Sequence, residues 1–424
     1  MASRTRRLWT AARFTGSLYG DRARVVVHGV RGDAFARLRG RPGRVDPYSV
    51  YERIRAEGGW VTTRLGNLAS VDHAACSAVL RNRRFGVQPE GHEPGPDEEF
   101  DLSFLDRNPP DHTRLRRLAS GAFSPRRVAE YRRRVEKVVD GLLDDLLHGG
   151  LDGRGTGVDV DLVSAYAAPL PIAVITELLG IPDADAAAFT RYGSAIGGAL
   201  GGIRSLRHAR ELAQADAELD ALFVALFERR RVEPRDDLIS DLVAVEGDQI
   251  RSEELRPMCG LLLIAGFETT VNLIGNAVHT LLDHPEEWER LVADPERAAA
   301  VCQETLRYEP PVHRTARISF DDTEVGGREV ARGQFVHVLL GGANRDPSVF
   351  ARPDVFDPDR ADAAEHLAFS SGIHHCLGRP LAELEATIAL GRLAERAPGL
   401  RRAGRMRLRP STIIRGPQVL PVRT

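Results

Sequence analysis

Helical patterning from Asp111 to Tyr308 is the feature that most limits what this chain can fold into. Apolar residues recur at helical spacing through that span, interrupted by glycine stretches at 149–157 and 193–202. Short β-like runs are predicted only outside it. Pro47 opens a helix over Tyr48–Glu57, and residues 60–71 (WVTTRLGNLASV) read as a hairpin turning at Gly66-Asn67. Thr315 to Val338 alternates β-like runs with turns, a last helix follows Cys376, and residues 406–423 look like strands. No regular βαβ alternation exists, which argues against a Rossmann domain or a (β/α)₈ barrel. The expected class is mainly α with small β-sheets in a single large domain. Residues 1–45 are expected as a partly flexible N-terminal extension and 46–424 as the body. Residues 88–108, rich in Pro, Gly and acid, are predicted as one long loop.

Composition removes several chemistries. Lys137 is the single lysine among 58 basic residues, and it lies in the charged helical run RRRVEKVVDGLLDDLL. A G-x-x-x-x-G-K-[ST] phosphate loop is therefore excluded, and a Schiff-base lysine nearly so. The net charge of −2 offers no basic field for nucleic acid. Four cysteines (Cys76, Cys259, Cys302, Cys376) form no C-x-x-C, so neither a disulfide framework nor a zinc ribbon is indicated. The longest apolar run, Met258–Phe267, is short of the roughly 20 residues of a membrane span. MASRTRRLWTAARF is basic but lacks a signal-peptide core, so a reducing cytoplasm is the default location. That segment reads as a solvated or loosely docked tail, with contact to an anionic membrane surface as the other reading.

Chemistry concentrates in Phe369-Ser-Ser-Gly-Ile-His-His-Cys-Leu-Gly378. One cysteine stands just ahead of a helix with glycines on both sides. There a thiolate would feel the helix's positive end and receive backbone N–H groups. Three readings compete: a zinc site from His374, His375 and Cys376, a buried inert cysteine, and a haem thiolate. Adjacent residues cannot all aim at one tetrahedral centre, which disfavours zinc. A second segment, Ala265-Gly-Phe-Glu-Thr-Thr270, lies inside a helical stretch from Ser252, its expected N-cap, to Asp283. Glu268 and Thr269 are polar in an otherwise apolar stretch. Burying them requires partners, a polar pocket or a water chain. The alternative is a threonine bonded one turn back with Glu268 on a solvated face.

Together these motifs resemble the cytochrome P450 family, from about Asp46 to the C-terminus. Phe369-x-x-Gly372-x-His374-x-Cys376-x-Gly378 is similar to its haem-binding loop. Glu304-Thr-Leu-Arg307 resembles its E-x-x-R, and Phe356-Asp-Pro-Asp-Arg360 supplies the later arginine. The resemblance implies haem b, with Cys376 as the iron's axial ligand and Gly378 beside it. Glu268 and Thr269 would be the oxygen-activating pair, with Gly266 making room for dioxygen. His112, in a helix capped by Asp111, would anchor the propionates with Arg116, Arg317 and His374. Arg314, three residues from Arg317, competes for that role. Ser370 stands where the family usually has glycine, and Ala361 where it often has an aromatic. The implied reaction inserts one atom of O2 into an organic substrate, most commonly by hydroxylation in secondary metabolism. Epoxidation or oxidative coupling, a peroxide-driven enzyme and a helper protein without haem are the alternatives. Electrons would come from a separate ferredoxin and an NAD(P)H-dependent reductase. The candidate pocket takes in Ala265, Val312, Ile413 and the 88–108 loop, with the glycine-rich 193–202 stretch as a lid.

Overall fold

A computed structural model describes residues 16, 18–64, 66–92, 101–148, 159–182 and 185–424. The expected glycine interruption at 149–157 lies outside these residues. The central element is the long helix Ser252–Asp283, whose 32 residues span about 48 Å. Among the described residues it alone is long and apolar enough to cross a membrane, and most of it is buried in protein. It begins after Arg251, whose N–H donates to Glu254 at 2.9 Å, so Ser252 is its first residue rather than its cap. Similarly, Asp111 is the first residue of the helix Asp111–Ser120, and its carboxylate pairs with Arg114 at 2.7 Å.

Around the long helix pack Pro169–Leu179, Ala186–Ala199, Ala298–Tyr308 and Arg379–Arg396, and the last of these also packs on Pro125–His148. Their apolar faces merge into one large core. A five-stranded sheet flanks it in the order Trp60–Thr62, Leu68–Ser70, Phe335–Val338, Thr315–Ser319, Phe85–Gly86. Its first two strands are the expected hairpin, with Gly66 at φ +80° in the turn. Residues 407–408, 417–419 and 421–423 are strands, as predicted.

The body begins earlier than residue 46. Asp33 caps the helix Ala34–Arg39 by accepting from Ala36 N at 2.8 Å, and Phe35 and Leu38 are buried. The Phe35 ring stacks on His337 at 4.1 Å, with the Arg314 guanidinium 5.2 Å from its centre. The segment 34–45 is therefore part of the packed unit rather than a tail.

Two histidines in this framework make stability pH-dependent. Burial, with the charges of Arg314 and Arg39, lowers His337 to about 3. Burial, then Arg379, lowers His366 to about 4. The unfolded chain binds these protons below about 6.5, where the folded chain refuses them. Stability is thus intact above about 6.5 and is expected to decline as pH falls from there towards 4. Urea midpoints at pH 7.5 and 5.0 measure the decline, and His366→Gln should flatten it.

Candidate haem-thiolate site

The Cys376 loop is shaped by its backbone. Gly372 has φ +70°, and a Cβ there would stand 2.2 Å from the Leu80 carbonyl oxygen, so only glycine fits. Residues Gly372–His374 form one 3₁₀ turn, and Cys376 N donates to the Phe369 carbonyl at 2.9 Å. The Arg379–Arg396 helix follows directly. Cys76, Cys259 and Cys302 are buried, whereas Cys376 is only partly so. That separates it from an inert core thiol. Burial raises its pKa, against the N–H of Gly378, the charge of Arg116 and the N–H of Arg379. A bound cation would complete the shift to thiolate. Among the described residues no group of three or more His, Cys, Asp and Glu is placed to hold a metal ion by itself.

Ser370 adopts φ +61°, and its hydroxyl is buried without a partner. The left-handed region costs a non-glycine residue about 1–2 kcal/mol. Part of any gain from glycine is lost to unfolded-state entropy. Ser370→Gly is therefore expected to stabilise the protein by up to about 1 kcal/mol, read from a denaturation midpoint.

A cluster of basic groups without a carboxylate lies beside the loop. The His112 and His374 rings are 4.2 Å apart, and neither His112 nitrogen nor His374 Nε2 has a partner. Burial, then Arg116 and Arg317, lowers His112 to about 4. Burial, then Arg317, His112 and Arg116, lowers His374 to about 2. Arg116 donates to the His375 carbonyl at 2.6 Å. Arg317 is buried, lowered to about 10 by burial, and bonded only to Thr315 Oγ1 and the Ala316 carbonyl. Arg314 turns to Thr412 instead, where it bonds to the carbonyl and Oγ1. Buried donors without acceptors are costly unless an anion arrives. Two propionates supply that charge, so the residues fit haem.

On the long helix, Ala265 is exposed and Thr269 half-buried, while Ile264, Phe267 and Glu268 are buried. Ala265 and Thr269 lie one turn apart on one face. Thr269 Oγ1 donates to the Ala265 carbonyl at 2.9 Å. Glu268 is not on a solvated face. Its carboxylate accepts from Arg409 Nη1 at 2.8 Å, and the same nitrogen reaches Ser194 Oγ at 3.3 Å. Burial raises its pKa, and Arg409 and Asn272 oppose this. Sequence reasoning missed Arg409; the one available signal was that a buried acid needs a cation.

Two expectations change here. The 193–202 stretch, expected as a lid, is helical through Ala199, and Gly193 and Gly197 are seats for packed side chains. A Cβ at Gly193 would meet Phe267 at 2.5 Å and Glu268 at 2.7 Å, and one at Gly197 would meet Glu268 at 3.1 Å. Gly266 lies in unbroken helix, and a Cβ there would meet the Ile175 side chain at 2.7 Å. Close helix packing is thus its visible role, in place of a local opening. Of the 88–108 loop, residues 93–100 lie outside the described set. Its described ends are joined by Asn108, which accepts from Val87 N and donates to the Gln88 carbonyl, both at 2.9 Å.

Glu304, Arg307 and Arg360 do meet. Glu304 and Arg307 side chains are 0% exposed and paired at 2.7 Å, and Arg360 Nε lies 3.0 Å from Glu304. Arg307 also donates to the carbonyls of Asn344, Pro353 and Val355. Ala361 is exposed, where an aromatic would gain little burial. Val312 bridges Ile414, and His313 N donates to the Ile413 carbonyl, so Val312 and Ile413 are brought side by side. A Cβ at Gly378 would have Phe123 Cε1 as its nearest neighbour, at 3.9 Å, which leaves that face open.

Comparison with known proteins agrees with this geometry. The family described as Cytochrome P450 matches residues 204–396. A putative cytochrome P450 140 of Mycobacterium tuberculosis is 37% identical over 412 residues, covering 92% of each chain. The cytochrome P450 monooxygenase PikC of Streptomyces venezuelae is 40% identical over 395 residues, covering 89% of this chain and 91% of PikC. Ligand-free CYP164A2 of Mycobacterium smegmatis superposes with a TM-score of 0.81 at 38% identity, covering 92% of this chain and 99% of that one. P450BioI, solved with a fatty-acyl-ligated acyl carrier protein, gives 0.81 at 36% identity, covering 89% and 98%. A cysteine poised at a helix start, a buried basic cluster near it and relatives matched over about nine-tenths of the chain have one common explanation: the chain is a haem-iron enzyme of the cytochrome P450 family.

Proposed function

We propose that this enzyme is a haem b-thiolate monooxygenase that hydroxylates an organic substrate of secondary metabolism, with electrons from a separate ferredoxin and its NAD(P)H-dependent reductase. The partly exposed Cys376, with Arg116 beside it in a basic cluster that also holds His112, Arg317 and His374, is the observation that carries it. Cys376 would ligate the iron, and His112, Arg116, Arg317 and His374 would hold the propionates, with Gly378 leaving room. Bound there, haem supplies oxygen activation, driven by electron density from the thiolate.

The chain's own part is to manage protons. Glu268, buried and raised in pKa, can hold a proton at its carboxyl, and Arg409 sets where that carboxyl points. Thr269 spends its hydroxyl hydrogen on the Ala265 carbonyl, which leaves its oxygen lone pairs free to accept. Glu268 is seated among Arg409, Gly193 and Gly197, so a proton reaches the Thr269 face only when the carboxyl leaves Arg409. Val312 and Ile413 would border the substrate, along with Ala265.

Separate redox partners are supported by the surface around the cysteine loop. Exposed Arg81 donates to Ser371 Oγ at 2.8 Å, and exposed Arg117 follows Arg116 in sequence. Such cations suit an acidic ferredoxin. A secondary-metabolic substrate is supported by relatives named PikC monooxygenase and 6-deoxyerythronolide B hydroxylase. Thr269→Ala is expected to keep reductant consumption while product per NAD(P)H falls several-fold. A substrate found by spectral-shift screening makes this measurable, and unchanged coupling would remove Thr269 from the proton path.

A further inference from the structure

Residues 18–30 form a helix ahead of the packed body, and its apolar stripe faces outward. Tyr19, Ala23, Val26, Val27 and Val30 follow the i, i+4, i+7, i+8, i+11 spacing of a single helix face. Tyr19 is 48% exposed, Val26 62%, Val27 44% and Val30 80%. In a helix docked on a globular core, that face should point inward. Instead the opposite side is the attached one: Val25 and His28 there are half-buried, and on the flank Gly29 is buried, its carbonyl accepting from Arg37 Nε at 3.0 Å. Arg22 donates to the Arg204 carbonyl, in the connection between the Ala186–Ala199 and Leu206–Val232 helices.

Charge indicates what covers the stripe. Residues 1–31 contain seven arginines (4, 6, 7, 13, 22, 24 and 31) and one acid, Asp21, within a chain whose total is −2. Arg22 and Arg24 are exposed on the helix, and Arg31 is exposed in the turn that follows it. Upstream, Leu8, Trp9 and Phe14 continue the basic–apolar composition. A second copy of this chain would bring like charge against like charge. An acidic protein would satisfy the arginines but would not by itself call for a row of bare valines. An anionic lipid surface answers both features, since headgroups neutralise guanidinium groups while the valines enter the acyl boundary.

We propose that the 18–30 helix is an interfacial docking element that lies flat on an anionic membrane surface. Each basic residue near such a surface contributes about 1 kcal/mol, screened by salt. The helix does not span the membrane, and it holds the connection around Arg204 next to the bilayer.

Flotation of the haem-loaded full chain with vesicles tests this. Vesicles of phosphatidylcholine with phosphatidylglycerol should carry the protein at low salt and lose it at high salt, whereas phosphatidylcholine alone should carry little. Val26→Asp with Val30→Asp should weaken partitioning on the order of a hundredfold. Both sites are exposed, so haem content and thermal midpoint should be unchanged. Arg24→Glu with Arg31→Glu should abolish the preference for phosphatidylglycerol. The proposal is overturned if the parent protein stays off anionic vesicles at low salt, or if the aspartate variant binds as well as the parent. It is equally overturned if size-exclusion chromatography with light scattering shows a dimer that the aspartate variant dissolves while vesicles bind neither protein.

Discussion

Replacing Cys376 with serine is expected to abolish the carbon monoxide difference spectrum of thiolate-ligated ferrous haem and to take oxygenation below detection. Serine's hydroxyl is far too weak an acid to serve as the anionic, polarisable ligand that a thiolate provides. The fold should survive. The loop is held by main-chain bonds, Cys376 N to the Phe369 carbonyl and His375 N to the Gly372 carbonyl, which the substitution leaves in place. Unchanged far-ultraviolet circular dichroism is therefore the control. A wild-type spectrum in the variant would show that another side chain ligates the iron. The basic cluster supplies an independent check, because Arg116→Ala and Arg317→Ala should weaken haem retention without changing the type of spectrum.

Glu304→Ala is expected to cost about 3–5 kcal/mol of stability, the largest effect foreseen for a side chain that touches no reacting group. Glu304 is the shared carboxylate of Arg307 and Arg360, and it also accepts from Asp357 N at 2.8 Å. Removing it leaves the Arg307 guanidinium buried without its paired carboxylate and facing Arg360, which keeps Asp362 at 2.9 Å. Carbonyls of Asn344, Pro353 and Val355 satisfy the Arg307 donors but do not neutralise charge. Glu304→Gln retains much of the hydrogen bonding and should fall between the parent and the alanine variant. Urea denaturation of the haem-loaded protein measures both. A loss under about 1 kcal/mol for Glu304→Ala would place the trio in the range of solvent-screened surface pairs.

The placement of the cysteine was legible because it depends on local covalent spacing, while its expected haem chemistry came from the resemblance to the family. A cysteine three residues ahead of a helix, with glycines at 372 and 378, dictates where the sulfur sits relative to the helix N–H groups, whatever surrounds it. The i, i+3 spacing of Glu304 and Arg307 likewise guarantees that they can pair. The helix-rich class followed from periodicity, and the hairpin from Gly66-Asn67. Helix starts were less legible. Ser252 and Asp111 looked like caps, yet the chain places Arg251 and Pro110 there.

What the sequence could not determine is which distant residues meet. Glu268 finds its cation 141 positions away at Arg409, a separation that carries no periodic signal. The stretch that holds Gly193 and Gly197 reads as a lid, because glycine loosens an isolated chain; packed against the long helix, the two glycines instead make room for Glu268. The motif favoured Arg317 over Arg314, three residues away, but only the folded chain shows one beside His374 and the other bonded to Thr412. The N-terminal stripe could be counted along the chain, but its direction could not. Tertiary structure alone faced those valines outward, because helical periodicity defines a face without saying what lies opposite it.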